Sequence, residues 1–306
     1  MTVSGPIAAD VLGFTLTHEH IMSNFGADPR RIGSYDEAAL WVQVVPYLQM
    51  LRDQGVDTVV DCTTAYFGRN VELLHEFAKD SGLQLVTNTG WYGASKGRYI
   101  PERAFTLTAE EIAAEWIAEF EDGIDGTTVR PGFIKLAVNA GELRPIDRKL
   151  LQAAALTHLA TGLVIAVHTR DNETAAKEQL VLLEQAGVSP SAWIWTHAQH
   201  LPSGAPLVAA AQRGAWISLD GVKAEPAQNE TLLSHLLDLR EAGLLDRVLL
   251  SHDGNGFPSG GAIRPFEALP TAFLPYLREQ GFSENEIKQL TITNPREAFT
   301  LRVRHL

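Results

Sequence analysis

The stretch Gly13-Phe14-Thr15-Leu16-Thr17-His18-Glu19-His20 contains the first extended run of the chain, residues 14–18, and decides between two architectures. An open, doubly wound sheet commonly places a glycine-rich phosphate turn after its first strand. Here the strand instead runs into Thr17-His18-Glu19-His20. Seven further short runs of β-branched or apolar residues follow, at 58–62, 84–88, 133–138, 163–168, 192–196, 215–219 and 247–251. Segments with helical spacing lie between them, at 35–54, 70–81, 108–122, 147–161, 172–186, 204–213 and 230–242, and several stop at a glycine such as Gly82 or Gly162. Strand then helix, repeated about eight times, requires parallel strands joined by right-handed crossovers, and eight such strands close into a (β/α)8 TIM barrel. With no linker, low-complexity tract or internal repeat, residues 1–306 are expected to form a single barrel domain.

A hydrophobic fraction of 45% and a charged fraction of 20% suffice for a sizeable core. Lys and Arg number 25 against 37 Asp and Glu, a net charge of −12 that repels phosphate backbones and anionic membrane surfaces. Nucleic-acid and membrane partners are therefore not expected. Cys62 is the single cysteine and has no internal partner, and Met1-Thr2-Val3-Ser4-Gly5-Pro6 lacks the basic-then-apolar order of a secretory signal. The most apolar stretch, 150–167, is interrupted by Gln152, Thr157, His158, Thr161 and Gly162, so no run reaches the roughly 18 residues of a bilayer span. The expectation is a soluble, cytoplasmic protein.

Chemistry enters with His18 and His20, because side chains two apart on a strand face the same way and can grip one cation; the plainer reading is a pair of hydrogen-bonded structural histidines. His168 ends the run at 163–167, His197 ends 193–196 and Asp253 ends 248–252, each at a C-terminal strand end, the rim where barrels place active sites. His252 neighbours Asp253 but points to the opposite side of a regular strand, so it is not expected to be a ligand. Lys135 lies inside Gly132-Phe133-Ile134-Lys135-Leu136-Ala137-Val138, where an unpaired ammonium is costly to bury. It can form a salt bridge to Asp253 or Glu142, or reach solvent at the rim. Alternatively its neutral amine reacts with CO2 to give a carbamate able to bridge two cations about 3.5–4 Å apart.

Taken together, residues 13–20 and 132–135, Ala160-Thr161-Gly162 leading to His168, His197, Ser251-His252-Asp253 and Thr291-Ile292-Thr293-Asn294-Pro295-Arg296 resemble the phosphotriesterase family of the amidohydrolase superfamily almost end to end. The resemblance implies that His18, His20 and Asp253 hold a more buried metal and His168 and His197 a more exposed one. An N6-carboxylated Lys135 would bridge both, together with a hydroxide. Zinc suits these ligands, and manganese, cobalt or iron are also accepted. Two cations make bridging water acidic, the exposed one polarises the scissile bond, and Asp253 accepts the proton. The implied activity is hydrolysis of a small carboxylic ester, above all a lactone. The alternatives are phosphotriester hydrolysis and a catalytically weak metal-barrel binding protein, and a homodimer is implied by resemblance alone.

Finer features of the family map onto single positions. Tyr92, in Gly90-Trp91-Tyr92, looks like the tyrosine that lactonases place after the third strand to orient substrate; an aromatic packing on the rim is the other reading. Two positions depart from the pattern. His200 stands where phosphotriesterases carry an acid, and Gly221 stands where they carry histidine and lactonases tend to carry arginine. The glycine-rich loop at 254–261 is expected to be mobile and to choose the substrate. Lys96, Arg98 and Lys223 are basic residues in rim loops, either attracting an anionic substrate group or simply solvated.

Overall fold

The computed structural model describes residues 1–24, 35–257 and 263–306. Among the described residues ten short strands run in chain order: β1 Thr15–His20, β2 Thr58–Asp61, β3 Gln84–Val86, β4 Asn88–Thr89, β5 Phe133–Ala137, β6 Val164–His168, β7 Trp193–Thr196, β8 Trp216–Leu219, β9 Val248–Leu250 and β10 Gly254–Asn255. All pairings between them are parallel, in two arcs ordered β10-β1-β2-β3 and β4-β5-β6-β7-β8-β9. Only Thr87 separates β3 from β4, and residues 251–253 separate β9 from β10. The third and eighth staves are thus each broken once, and the two arcs are halves of an eight-stave TIM barrel. Helices α1 Glu37–Asp53, α2 Val71–Ser81, α3 Ala109–Asp122, α4 Pro145–Thr161, α5 Glu173–Gln185, α6 Ala205–Gln212 and α7 Glu230–Glu241 alternate with the strands, and α8 Leu274–Glu279, α9 Glu284–Lys288 and α10 Asn294–Phe299 complete the chain. Among the described residues no helix is long and apolar enough to cross a membrane.

The core divides as the strand period dictates. Ile134 and Leu136 of β5 belong to the large apolar layer between strands and helices, whereas Phe133 joins Val60, Val164, Ile194, Trp216 and Leu249 in a smaller cluster with Leu12 and Phe299. Lys135 shares the face of Phe133 and so stands on the barrel's inner side. In β1 the register to β2 shifts between Leu16 and Glu19. Leu16 joins the outer layer while His18 and His20 turn toward the barrel mouth, a change of face that simple alternation over 14–18 does not foresee. Gly90, just after β4, has φ 105°, and a Cβ there would meet the Lys135 carbonyl oxygen at 2.3 Å. That close backbone approach sets the Trp91-Tyr92 segment against β5.

The eighth stave breaks because a carboxylate replaces its ladder. Glu19, fully buried on β1, accepts hydrogen bonds from the Ser251 hydroxyl at 2.7 Å, the His252 amide at 3.1 Å, His252 Nδ1 at 2.6 Å and the Gly254 amide at 2.7 Å. His252 Nε2 in turn accepts from the Leu269 amide at 2.8 Å, so both ring nitrogens are already engaged. Removing the Glu19 carboxylate orphans four donors at the seam, and Glu19→Ala is expected to cost about 3–5 kcal/mol of stability. Denaturant unfolding followed by circular dichroism measures this; a loss below about 1 kcal/mol would show that the seam does not depend on Glu19.

Candidate active site

His18 and His20 from β1 and Asp253 from the break before β10 converge at the C-terminal mouth of the barrel. Asp253 Oδ1 lies 3.5 Å from His18 Nε2 and 3.4 Å from His20 Nε2. Lys135 is 1% exposed, which removes the solvated alternative, and its Nζ lies 3.4 Å from His18 Nε2, while Glu142 is exposed. His168 and His197 stand next to this group, with ring centroids 4.3 Å apart and His197 4.9 Å from His18.

The far side of each ring explains its orientation. Asp220, at the end of β8, accepts from His18 Nδ1 at 2.9 Å and from His197 Nδ1 at 2.7 Å, and also binds the His197 amide, the Ser218 hydroxyl and the Gln199 side chain. His20 Nδ1 donates to the Thr63 hydroxyl at 2.8 Å, which itself donates to the Met22 carbonyl. With the protons held on Nδ1, the Nε2 lone pairs of His18 and His20 are directed at an Asp253 oxygen that is itself electron-rich. Such a contact is repulsive unless a cation lies between, and a tetrahedron of about 2.0–2.1 Å bonds has edges of about 3.3–3.4 Å, close to the spacing found. The donor set therefore fits a metal ion. His18, His20 and Asp253 could hold one cation, and His168 and His197 another beside it.

Electrostatics sort these groups in the same sense. Burial, with help from the neighbouring Lys135, pushes His18 down to about 3. Burial likewise lowers His20, and burial with His197 and Lys135 lowers His168 well below the ordinary imidazole value. Burial favours the neutral forms of Asp253 and Asp220, but the surrounding histidines outweigh it and hold both carboxyls below their usual range. Neutral rings beside ionised carboxylates are the protonation states that ligands require.

Two of these residues sit on strained backbone: His197 has φ 64° and Asp253 φ 54°. A non-glycine residue in the left-handed region costs of order 1–3 kcal/mol and persists only where its surroundings over-determine it. Here the His197 amide is held by Asp220 at 3.1 Å and the Asp253 amide by the His18 carbonyl at 3.1 Å. The turns re-aim both side chains inward just where their strands end.

Tyr92 faces the same mouth, its hydroxyl 3.3 Å from His168 Nδ1 and its ring stacked 4.9 Å from Phe67. Burial raises its phenol above the ordinary value. A cavity of about 520 Å³ opens over the cluster, and His197, His200, Asp220, Gly221 and Asp253 help to line it. At Gly221 a Cβ would meet Gln199 Nε2 at 2.7 Å, and the Asp220 amide donates to Gln199 Oε1 at 3.2 Å. Gln199 thus fills the space beside Asp220 that the departure at Gly221 leaves. Of the basic rim residues, Lys223 lines the cavity, whereas Lys96 and Arg98 are exposed elsewhere; Arg170 and Arg264 take part instead. In the loop at 254–261, Gly254 and Asn255 form β10, while Pro258, Ser259, Gly260 and Gly261 lie outside the described residues. Asp220, Gln199 and Arg264 carry no signal in the sequence that marks them for this site, because their partners lie on other staves.

Asp220→Asn, which keeps the shape but forfeits the charge that orients two rings, is expected to weaken metal retention about 10–100-fold, read by chelator competition on folded protein. Stability should depend on pH as well. His18, His20 and His168 stay neutral in the fold below the 6.5 at which an unfolded imidazole protonates, so the unfolded chain binds more protons in that window. Stability of chelator-treated protein should therefore fall as pH drops below 6.5, and fall further below 3.8 as Asp220 and Asp253 add a loss of the same sign. Urea midpoints at pH about 7.5 and about 5 check this, and equal midpoints would contradict it.

The profile of the phosphotriesterase family matches residues 1–299. The chain is 31% identical over 296 residues to the phosphotriesterase homology protein of Escherichia coli (strain K12), covering 95% of this chain and 99% of that protein. It is 27% identical over 308 residues to the aryldialkylphosphatase of Saccharolobus solfataricus, covering 94% of this chain and 95% of that one. A solved structure of a mutant PTE-like lactonase from Deinococcus radiodurans aligns with a TM-score of 0.87 at 30% identity, covering 98% of this chain and 99% of that one. With the barrel and the histidine cluster at its mouth, these likenesses establish that the chain belongs to the phosphotriesterase family.

Proposed function

We propose that this chain is a metal-dependent hydrolase that opens a small carboxylic ester, above all a lactone, with His18, His20, Lys135, His168, His197 and Asp253 as the ligands of two divalent cations. The observation that carries the reading is the meeting of His18 Nε2, His20 Nε2 and Asp253 Oδ1 at 3.4–3.5 Å, with Lys135 Nζ 3.4 Å from the same His18 nitrogen. Zinc, or alternatively manganese, cobalt or iron, supplies Lewis acidity toward the scissile group and toward water when bound.

The protein's own groups have separable tasks. Asp220 and Thr63 hold the imidazoles in the tautomer that leaves Nε2 available. Asp253, ionised and turned inward, is placed to take the proton of attacking water, while Arg264 at 3.1 Å fixes its outer oxygen. Tyr92 offers a hydroxyl beside His168 for orienting an ester oxygen. For Lys135, addition of the neutral amine to CO2 with release of one proton gives a carbamate. That would convert a buried base beside His18 into a two-oxygen anionic ligand for the cations. Relatives known as an aryldialkylphosphatase and a PTE-like lactonase support both branches of the substrate class. The tyrosine beside His168 favours the lactone.

Metal-supplemented protein assayed against lactones, aryl esters and dialkyl aryl phosphates is expected to hydrolyse lactones fastest and to lose turnover on chelation. A triester preference would move the reading to phosphotriester hydrolysis, and inactivity of fully metallated protein on every ester would leave a metal-barrel binding protein. Lys135→Ala should lose metal and turnover together, with partial rescue by bicarbonate and a short-chain acid. Unchanged metal content and rate in that variant would remove the carbamate.

A further inference from the structure

The charges lining the 520 Å³ cavity are unevenly matched. Its two carboxylates are committed, Asp220 to the Nδ1 atoms of His18 and His197, and Asp253 to His18, His20 and Arg264. Arg170 and Lys223 line the same cavity from separate rim segments, one just after β6 and the other after β8. Both are exposed, and among the described residues neither side chain forms an ion pair within 4.0 Å. Other arginines of this chain do find carboxylates: Arg148, Arg213 and Arg240 each hold a glutamate at 2.5–2.6 Å. In a protein of net charge −12, two cations without acidic partners that line the same cavity offer an external anion two uncommitted donors. Arg170 also borders an adjoining cavity of about 250 Å³ that receives Tyr92, His168 and Asp171, so it stands between the two spaces beside the cluster.

We propose that Arg170 and Lys223 form an anion subsite, so that the substrate is a small ester or lactone bearing a second, ionised oxyanion group held across the cavity from the reacting bond. The reading of the bond as an ester rests on the hydrolase proposed above; the subsite itself rests on the lining. A guanidinium fork and a mobile ammonium are suited to a carboxylate or a phosphate alike. Such a contact acts on binding of the whole substrate, hence on KM before kcat.

Two measurements test it. Calorimetric titration of metal-loaded protein with glutarate, and separately with inorganic phosphate, tells the carboxylate from the phosphate. The double variant Arg170→Gln, Lys223→Gln should bind the preferred anion at least about tenfold more weakly, whereas Lys177→Gln, on an exposed helix face, should not change it. The second measurement compares 4-nitrophenyl butyrate with mono-4-nitrophenyl glutarate, which share a reacting bond and differ in charge. Wild type should favour the charged ester in kcat/KM about tenfold, and the ratio should collapse in the double variant through KM. Anion binding that survives in the double variant, no anion binding in wild type, or equal kcat/KM for both esters overturns the subsite whatever the activity. Loss of anion binding in the double variant with neither ester hydrolysed supports the subsite and removes the hydrolase instead.

Discussion

One buried carboxylate, that of Asp220, sets the geometry on which the site depends. It is fully buried and binds Nδ1 of both His18 and His197, and through them two separate strand ends. A carboxylate in such a place is costly without compensation, and five donors supply it. The result is that two imidazoles from non-adjacent staves have fixed tautomers and fixed planes. Their remaining nitrogens are left as lone pairs directed into the mouth of the barrel.

The barrel is closed around this arrangement by a second buried carboxylate with a different purpose. Glu19 lies between His18 and His20 in sequence yet faces the other way, taking four hydrogen bonds from the stretch around His252. It substitutes for ladder hydrogen bonds where the eighth stave is broken. The break frees Asp253 to adopt a left-handed conformation that turns its carboxylate inward. The same device recurs at His197, where the Asp220 carboxylate holds the amide of a left-handed residue. Local strain at two strand ends is thus tolerated because buried anions bind the backbone there, and strain of this kind concentrates at functional sites.

Charge is partitioned as well as placed. The acidic surface belongs to the molecule at large, whereas Arg170, Lys223 and Arg264 gather at the cavity over the histidine cluster. Arg264 is tied to Asp253, and the other two are left facing the cavity. A site of this polarity draws small anions through an otherwise repulsive field.

The eight-fold alternation of apolar runs and helical segments was legible in the chain itself, because strand and helix periods are local properties of short windows. The separation of two histidines by one residue, and the single lysine in an apolar run, were likewise visible, since each is an anomaly against its immediate neighbours. What no window contains is a partner far away in sequence. His18 and Asp220 are 202 residues apart, and Glu19 and His252 are 233 apart, so their hydrogen bonds exist only once the barrel has closed. The register shift in β1 and the left-handed turns at His197 and Asp253 belong to the same class. They are conformations that their own residues disfavour, and contacts from other staves impose them. Residue type and spacing therefore determined which groups are available for chemistry, and tertiary closure decided which way they point, because orientation is set by buried anions from distant strands.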